Sequence, residues 1–214
     1  MAMIKSALEV ALERSKDIRI DEAAIEANEL RIEGKKAAGH YLEEPESGTL
    51  ADKLGAFPKE KRQSVREGMF ETLVAQLQLP MGTESDAKKL ELLGSGFSSL
   101  AAGAGSGLLG GVGAAVADKK VQALFQQLTA FFNQYIEDMK NVEQAIRKQW
   151  APKLREKERQ LAARMGPDFR MDPMSDPEFA AFYKQNVSAA RAQYQAALDK
   201  AKTDLAATLG IEKS

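Results

Sequence analysis

One histidine, no cysteine and many carboxylates bound what the side chains of this chain can do. His40 and Glu43 stand in an H-x-x-E spacing, which places both on one face of a helix. A ferritin-like di-iron centre takes a Glu-x-x-His from each of two helices, and a chain with a single histidine supplies only one. A homodimer would supply two, but His40 reads better as a packed or surface residue near a helix end. The absence of cysteine removes disulfides, thiolate metal sites and cysteine nucleophiles together, and the usual zinc sites and His-based triads also lack their residues within one chain. Gly105, Gly107 and Gly110 match G-x-G-x-x-G. A dinucleotide loop of that kind follows a strand and precedes an acidic residue about 20 positions on; here the preceding pattern is helical and position 130 is alanine. There is no G-x-x-x-x-G-K-[ST], and neither Ser98 nor Ser106 lies in a G-x-S-x-G elbow. No catalytic, cofactor-binding or metal-ligating residue is assigned, and a non-enzymatic protein without a cofactor is expected.

Those glycines belong to the most unusual stretch of the chain. Leu92 to Ala117 contains no charged side chain, and 8 of its 26 residues are glycine and 4 serine. Its length exceeds the ~20 residues a bilayer requires, and Ser95, Ser99, Gly103, Gly107, Gly111 and Ala115 form a small-x-x-x-small ladder. Its hydrophobicity is weak, however, and lysine pairs (Lys88–Lys89 and Lys119–Lys120) flank both ends equally, so the positive-inside rule gives no orientation. As a soluble helix or helical hairpin buried by partners it would cost ~1 kcal/mol per glycine relative to alanine, and would survive in water only with extensive packing. The reading that reconciles these features is helix from Ser85 to about Ala102, a glycine-rich break at about 103–113, and helix again from about Ala114. Gly103, Gly107, Leu108, Gly111 and Val112 are then the candidate flexible or lipid-contacting residues, and reversible membrane insertion is the rival account.

The elements around this run are helical. Val121, Phe125, Leu128, Phe132, Tyr135, Met139, Val142 and Ile146 recur at steps of 3 and 4, a heptad seam that demands a long helix with a continuous partner. Pro152 predicts a kink or break near Trp150, with helix resuming through Leu161 to Met165. After the proline-rich "GPDFRMDPMSDPE", Asp176 and Pro177 make a helix start. A second seam runs through Phe179, Tyr183, Val187, Ala190, Tyr194, Ala197, Ala201, Leu205 and Thr208, and Gly210 is placed to end it. Two such helices, about 118–165 and 177–209, predict a long antiparallel coiled-coil hairpin. In the N-terminal part, Ile4, Ala7, Leu8, Ala11 and Leu12 share a face. Asp21 is placed to cap the next helix, whose seam of Ala23, Ala27, Leu30, Gly34, Ala37 and Tyr41 is small enough for close backbone approach. Thr49 with Asp52 resembles a capping box. A helix opening at Pro58 turns Val65, Met69, Leu73 and Leu77 inward and stops at Leu79–Pro80, and Leu90, Leu93, Phe97 and Leu100 form a further stripe. No alternating β-branched run occurs. The expected fold is all-α and elongated, divided as 1–91, 92–117 and 118–214.

With 44% apolar and 29% charged residues and a formal net charge of −1, no global field points to nucleic acid or to a membrane surface. Charge is uneven along the chain: residues 1–60 hold 9 basic and 13 acidic side chains, and Arg147–Arg164 holds 7 basic and 2 acidic. The basic stretch reads first as a solvated helix face, and otherwise suits an acidic partner or the acidic N-terminal third of the same or another copy. The N-terminal stretch is charged every few residues and lacks the apolar core of a secretory signal, so a cytoplasmic setting is expected.

The segments "LFQQLTAFFNQYIEDMKNVEQAIRKQWAPKLREKERQLAARMG", "DPMSDPEFAAFYKQNVSAARAQYQAALDKAKTDL" and "IKSALEVALERSKDI" resemble a group of uncharacterised bacterial proteins assigned a domain of unknown function. The resemblance implies bacterial origin and a helical fold, and brings no activity, cofactor or site residue. From the residues themselves, the expected role is binding to another protein or to further copies of this chain as a homo-oligomer, with Phe131, Phe132, Tyr135 and Trp150 as candidate contacts. The alternative is a membrane-active helical protein that inserts 92–117.

Overall fold

The computed structural model describes residues 22–81, 87–103, 110–166 and 168–211. Its elements are α1 (Glu22–Glu43), α2 (Leu50–Gly55), α3 (Arg62–Ala75), α4 (Ala87–Gly103), α5 (Gly110–Met165) and α6 (Pro177–Thr208), with 3-10 turns at Pro45–Ser47 and Pro173–Ser175. No strand occurs among the described residues, and the fold is all-α. Residues 1–21, with the Ile4–Leu12 face and the Asp21 cap, lie outside the described residues, as do Ser85, Gly107 and Leu108.

Helix ends follow local chemistry. Thr49 accepts from the Asp52 N–H at 3.1 Å while Asp52 accepts from the Thr49 N–H at 3.3 Å, a complete capping box at the start of α2. Ser99 of α4 accepts a further N–H, that of Ala51, at 2.8 Å. The α3 helix begins at Arg62 and not at Pro58, because Lys61 and Arg62 donate to the carbonyls of Pro58 and Lys59 and make a turn first. It also ends early, at Ala75, where Gln76 and Leu77 bond back three residues. At the end of α6 the Ile211 N–H reaches Ala206 O at 2.9 Å and the Gly210 N–H reaches Ala207 O at 3.1 Å, with Gly210 at φ +64°. This is a Schellman motif, and it needs a residue tolerant of the left-handed region.

The first two large helices touch backbone to backbone. A Cβ on Gly34 would lie 2.0 Å from Val65 O, and one on Gly68 would lie 2.0 Å from Arg31 O. Helices approach this closely only where neither presents a side chain. Along the sides of the crossing run three ion pairs: Glu26–Lys61 at 2.6 Å, Arg31–Glu67 at 2.7 Å and Lys35–Glu71 at 2.7 Å. Both members of each pair rise in number together, so α1 and α3 are parallel, and α2 lies in the crossover between them.

Among the described residues the main buried cluster draws on all of α1 to α6. Its centre is Phe97, fully buried, with ring centroids 5.7 Å from Phe70 and 5.5 Å from Phe125, so one aromatic row ties α3, α4 and α5. Val65, Met69, Leu73, Leu77, Leu93 and Leu100 are buried around it. The glycines of α4 serve packing: Gly94 lies under Phe125, Gly96 under Tyr41 and Leu73, and Gly103 under Leu54. Gly103 therefore ends a packed helix. Gly111 and Val112 lie in the opening turns of α5, which starts at Gly110, four residues before the expected Ala114. The intervening 104–109 lie outside the described residues.

The expected break at Pro152 does not occur, and α5 continues through it for 56 residues, roughly 84 Å. Proline removes the donor to the carbonyl of Lys148, but Pro152 and Lys148 are both exposed, so water can meet the freed oxygen.

Candidate interaction surface

The α5 seam meets α6 with residue numbers running in opposite directions. Trp150 lies 5.8 Å from Phe179 and 5.5 Å from Phe182, Tyr183 donates to Glu143 at 2.7 Å, Tyr194 donates to Asp138, and Phe131 lies 5.3 Å from Tyr194. The half-buried seam tyrosines of α6, Tyr183 and Tyr194, each find a carboxylate for the hydroxyl. Sequence reading had placed the tyrosines in the seam but not Asp138 and Glu143; the available signal was that a seam hydroxyl requires an acceptor. A negative neighbour resists phenolate formation. The hydrogen bond to Asp138 therefore pushes Tyr194 up to about 12, and the hydrogen bond to Glu143 raises Tyr183 above its usual value. Because the folded-state value of Tyr194 exceeds the unfolded value near 10, its stabilisation is complete below about pH 10 and disappears as pH climbs to about 12. Tyr194→Phe is expected to flatten that alkaline loss of Tm between about pH 10 and 12, which thermal melts across the range would detect; an unchanged alkaline slope would show that Tyr194 does not carry it.

The four aromatic candidates separate. Phe132 and Tyr135 are buried, and Phe131 and Trp150 are half-buried. All four stack within the chain: Phe131 on Phe132 at 5.6 Å, Tyr135 on Tyr194 at 5.0 Å and Trp150 on the two α6 rings. Lys153 stands over the Trp150 ring, 4.4 Å from its centroid. His40 is exposed near the end of α1, 3.2 Å from Ser47 Oγ and 3.8 Å from Glu44, so its neighbour is not the Glu43 of the H-x-x-E spacing. Among the described residues no group of three or more His, Cys, Asp or Glu is placed to hold a metal ion.

At the far end of the hairpin the chain after α5 folds back along its last turns. Glu158 accepts the Met171 N–H at 3.1 Å, and Lys157 bonds both Asp176 and Glu178. Asp176 is buried and also caps α6 through the N–H groups of Glu178 at 2.9 Å and Phe179 at 3.1 Å. Its carboxyl is held below the usual range, first by Lys157 and then by the Phe179 N–H, while Lys157 is raised, chiefly by Asp176. Asp176→Ala removes cap and counter-ion together and is expected to lower Tm by about 5 °C. Asp176→Asn, which keeps a capping oxygen, should recover part of that in the same thermal melt; equal losses would show that the charge and not the cap matters.

These internal commitments leave cations over. Glu156, Glu158, Asp172, Asp176 and Glu178 all accept hydrogen bonds or form ion pairs inside the hairpin end. Arg147, Lys148, Arg155 and Arg164 form no ion pair among the described residues. Met165 and Met174 are 64% and 48% exposed beside them. At the other end of α6, Arg66 of α3 is buried and donates to Leu209 O, a cation placed on the carbonyl end of the helix. Sequence reading missed Arg66, since nothing in its local spacing sets it apart from the exposed arginines.

No curated protein and no solved structure matches the chain. A family model does, over residues 51–207, a span that opens in α2 and closes in the last turn of α6. The chain belongs to a family of unknown function, DUF6657.

Proposed function

We propose that this chain is a non-enzymatic, protein-binding helical module of the cytoplasm, and that the distal half of the α5–α6 hairpin is its contact surface. The observation that supports this is an incomplete seam. Beyond Ile146 the hairpin is two helices thick among the described residues, and Trp150, Leu154, Leu161, Phe182 and Val187 are only half-buried. A two-helix layer leaves one side of such residues open, and a third helix from a partner would close it. Membrane insertion through 92–117 is not favoured. Among the described residues no helix is long and apolar enough to cross a membrane, and Leu93, Phe97 and Leu100 already sit in the core.

Photo-crosslinking groups at Leu154 and Phe182, compared with one at exposed Gln78, test the reading in cells. Discrete adducts heavier than 23.3 kDa are expected from the hairpin positions and not from Gln78. Adducts from Gln78 alone, or none, would overturn it. Co-flotation of the purified chain with anionic or neutral vesicles, lost on deleting 92–117, would restore the membrane reading.

A further inference from the structure

Two exposed stripes of similar length lie at opposite ends of the molecule. On α1, Glu22, Ile25, Glu29 and Ile32 recur at steps of 3, 4 and 3, on the side away from the Gly34 crossing, and all four are exposed. Ile25 and Ile32 are 49% and 42% accessible, unusual for isoleucine. Glu22 and Glu29 form no ion pair among the described residues, and the neighbouring Glu26 and Glu33 are held by Lys61 and Lys36. On α5, Lys148, Pro152, Arg155 and Arg159 recur at steps of 4, 3 and 4 on the back of the helix, opposite the seam, and all are exposed. Each stripe is about 15 Å long.

The fold keeps them apart within one copy. The Glu26–Lys61 pair sets the start of α1 beside the start of α3. The exit of α3, Gln76 to Met81, shares a cavity of about 290 Å³ with Phe132 at the other end of the bundle. From Phe132, α5 runs away for a further 33 residues to Met165, roughly 50 Å. A rigid α5 therefore carries the cationic stripe away from the acidic one, and only another copy brings the two together.

We propose that the chain self-associates head to tail, with the Lys148–Arg155–Arg159 stripe of one copy lying on the Glu22–Ile25–Glu29–Ile32 stripe of the next. This goes beyond the reading of the distal seam as a binding surface, since the stripe lies on the opposite side of α5. Opposite charges pair across the contact, and the aliphatic stems of the lysine and arginines cover the isoleucines. The two patches differ, so the contact is heterologous and grows into rings or filaments instead of stopping at a two-fold dimer. Faces this short bury less than the ~1,200 Å² of a standard interface, so the association is weak and salt-sensitive.

Sedimentation velocity on the full chain, up to about 0.5 mM and at low and high salt, reads the prediction. The wild type should exceed 23.3 kDa increasingly with concentration and return to it in high salt. Glu22→Lys/Glu29→Lys and Lys148→Glu/Arg155→Glu, each checked for unchanged helicity, should each lose association at least tenfold. In their equimolar mixture the two wild-type stripes are complementary and so are the two reversed ones, so association should be regained beyond two copies, as it should in the chain with all four reversals. Association indifferent to both variants would overturn the head-to-tail contact and leave self-association standing elsewhere. A wild type that stays monomeric would overturn self-association while hairpin crosslinks to another protein still stood. Co-flotation with anionic vesicles, abolished by Lys148→Glu/Arg155→Glu, would assign the cationic stripe to lipid and overturn the proposal.

Discussion

Gly34→Ala and Gly68→Ala should each destabilise the chain by about 3 kcal/mol and lower its Tm by roughly 6–12 °C. An added Cβ at either site meets a backbone oxygen at 2.0 Å, whereas ordinary contact begins near 3.4 Å, so the helices would have to part by about 1.4 Å. No rotamer change relieves a clash between two backbones. Separation would also stretch the three ion pairs along the crossing and loosen the packing of Ala38 and Tyr41 on the core. The gain of ~1 kcal/mol that alanine brings to a helix interior only partly offsets this cost. Gly39 supplies the control within the same helix. Nothing lies within 4 Å of its added Cβ, so Gly39→Ala should be neutral or raise stability by up to ~1 kcal/mol. Urea melts of the three variants decide the matter. A Gly34→Ala protein as stable as Gly39→Ala would mean that α1 does not cross α3 backbone to backbone. The pair Gly34→Ala/Gly68→Ala should cost less than the sum of its parts, because the first substitution already opens the contact that the second would violate.

Phe97→Ala should cost about 4 kcal/mol, with a fall in Tm of roughly 8–16 °C. The ring is fully buried, and its removal breaks the aromatic row from Phe70 through to Phe125. The cavity would sit where three helices meet. Its walls are carried by long helices that cannot collapse inward without displacing Leu93, Leu100 and Met69. A shift of the urea midpoint at unchanged slope is expected. A loss below about 1 kcal/mol would show that α4 does not pack between α3 and α5.

The glycine-rich run illustrates how far local reading goes. Weighed as isolated helix, its glycines look prohibitive, because propensity scales price each at ~1 kcal/mol. That cost is the backbone entropy a glycine loses in a helix, and tertiary packing can offset it. Gly94, Gly96 and Gly103 instead admit Phe125, Tyr41 with Leu73, and Leu54, each with contacts at 3.1–3.3 Å to where a Cβ would stand. Which glycines are seats for large side chains depends on residues 23 to 55 positions away, and no short window of the sequence contains both partners. The same holds for Arg66. Its burial and its bond to Leu209 O, 143 residues on, exist only once the end of α6 returns to the bundle. Pro152 is a third case, since its effect turns on whether water reaches the freed carbonyl.

What the sequence by itself determined is set by short-range chemistry. The heptad seam of α5, the Thr49–Asp52 box, the Asp176–Pro177 start and the Gly210 stop all depend on contacts within a few residues, and each is in place, whereas in α6 Leu198 is buried where the expected seam had Ala197, which is exposed. The absence of cysteine and the single histidine likewise limited the chemistry before any folding was considered. Tertiary structure decided what depends on long-range apposition: that Gly34 and Gly68 interlock, that Phe132 and Tyr135 are core while Trp150 is half-open, and that the acidic and cationic stripes end up at opposite poles. Periodicity states that a helix has a face to bury but not against what, because burial is scored by area, to which many partners contribute alike. Only the packed chain selects among them.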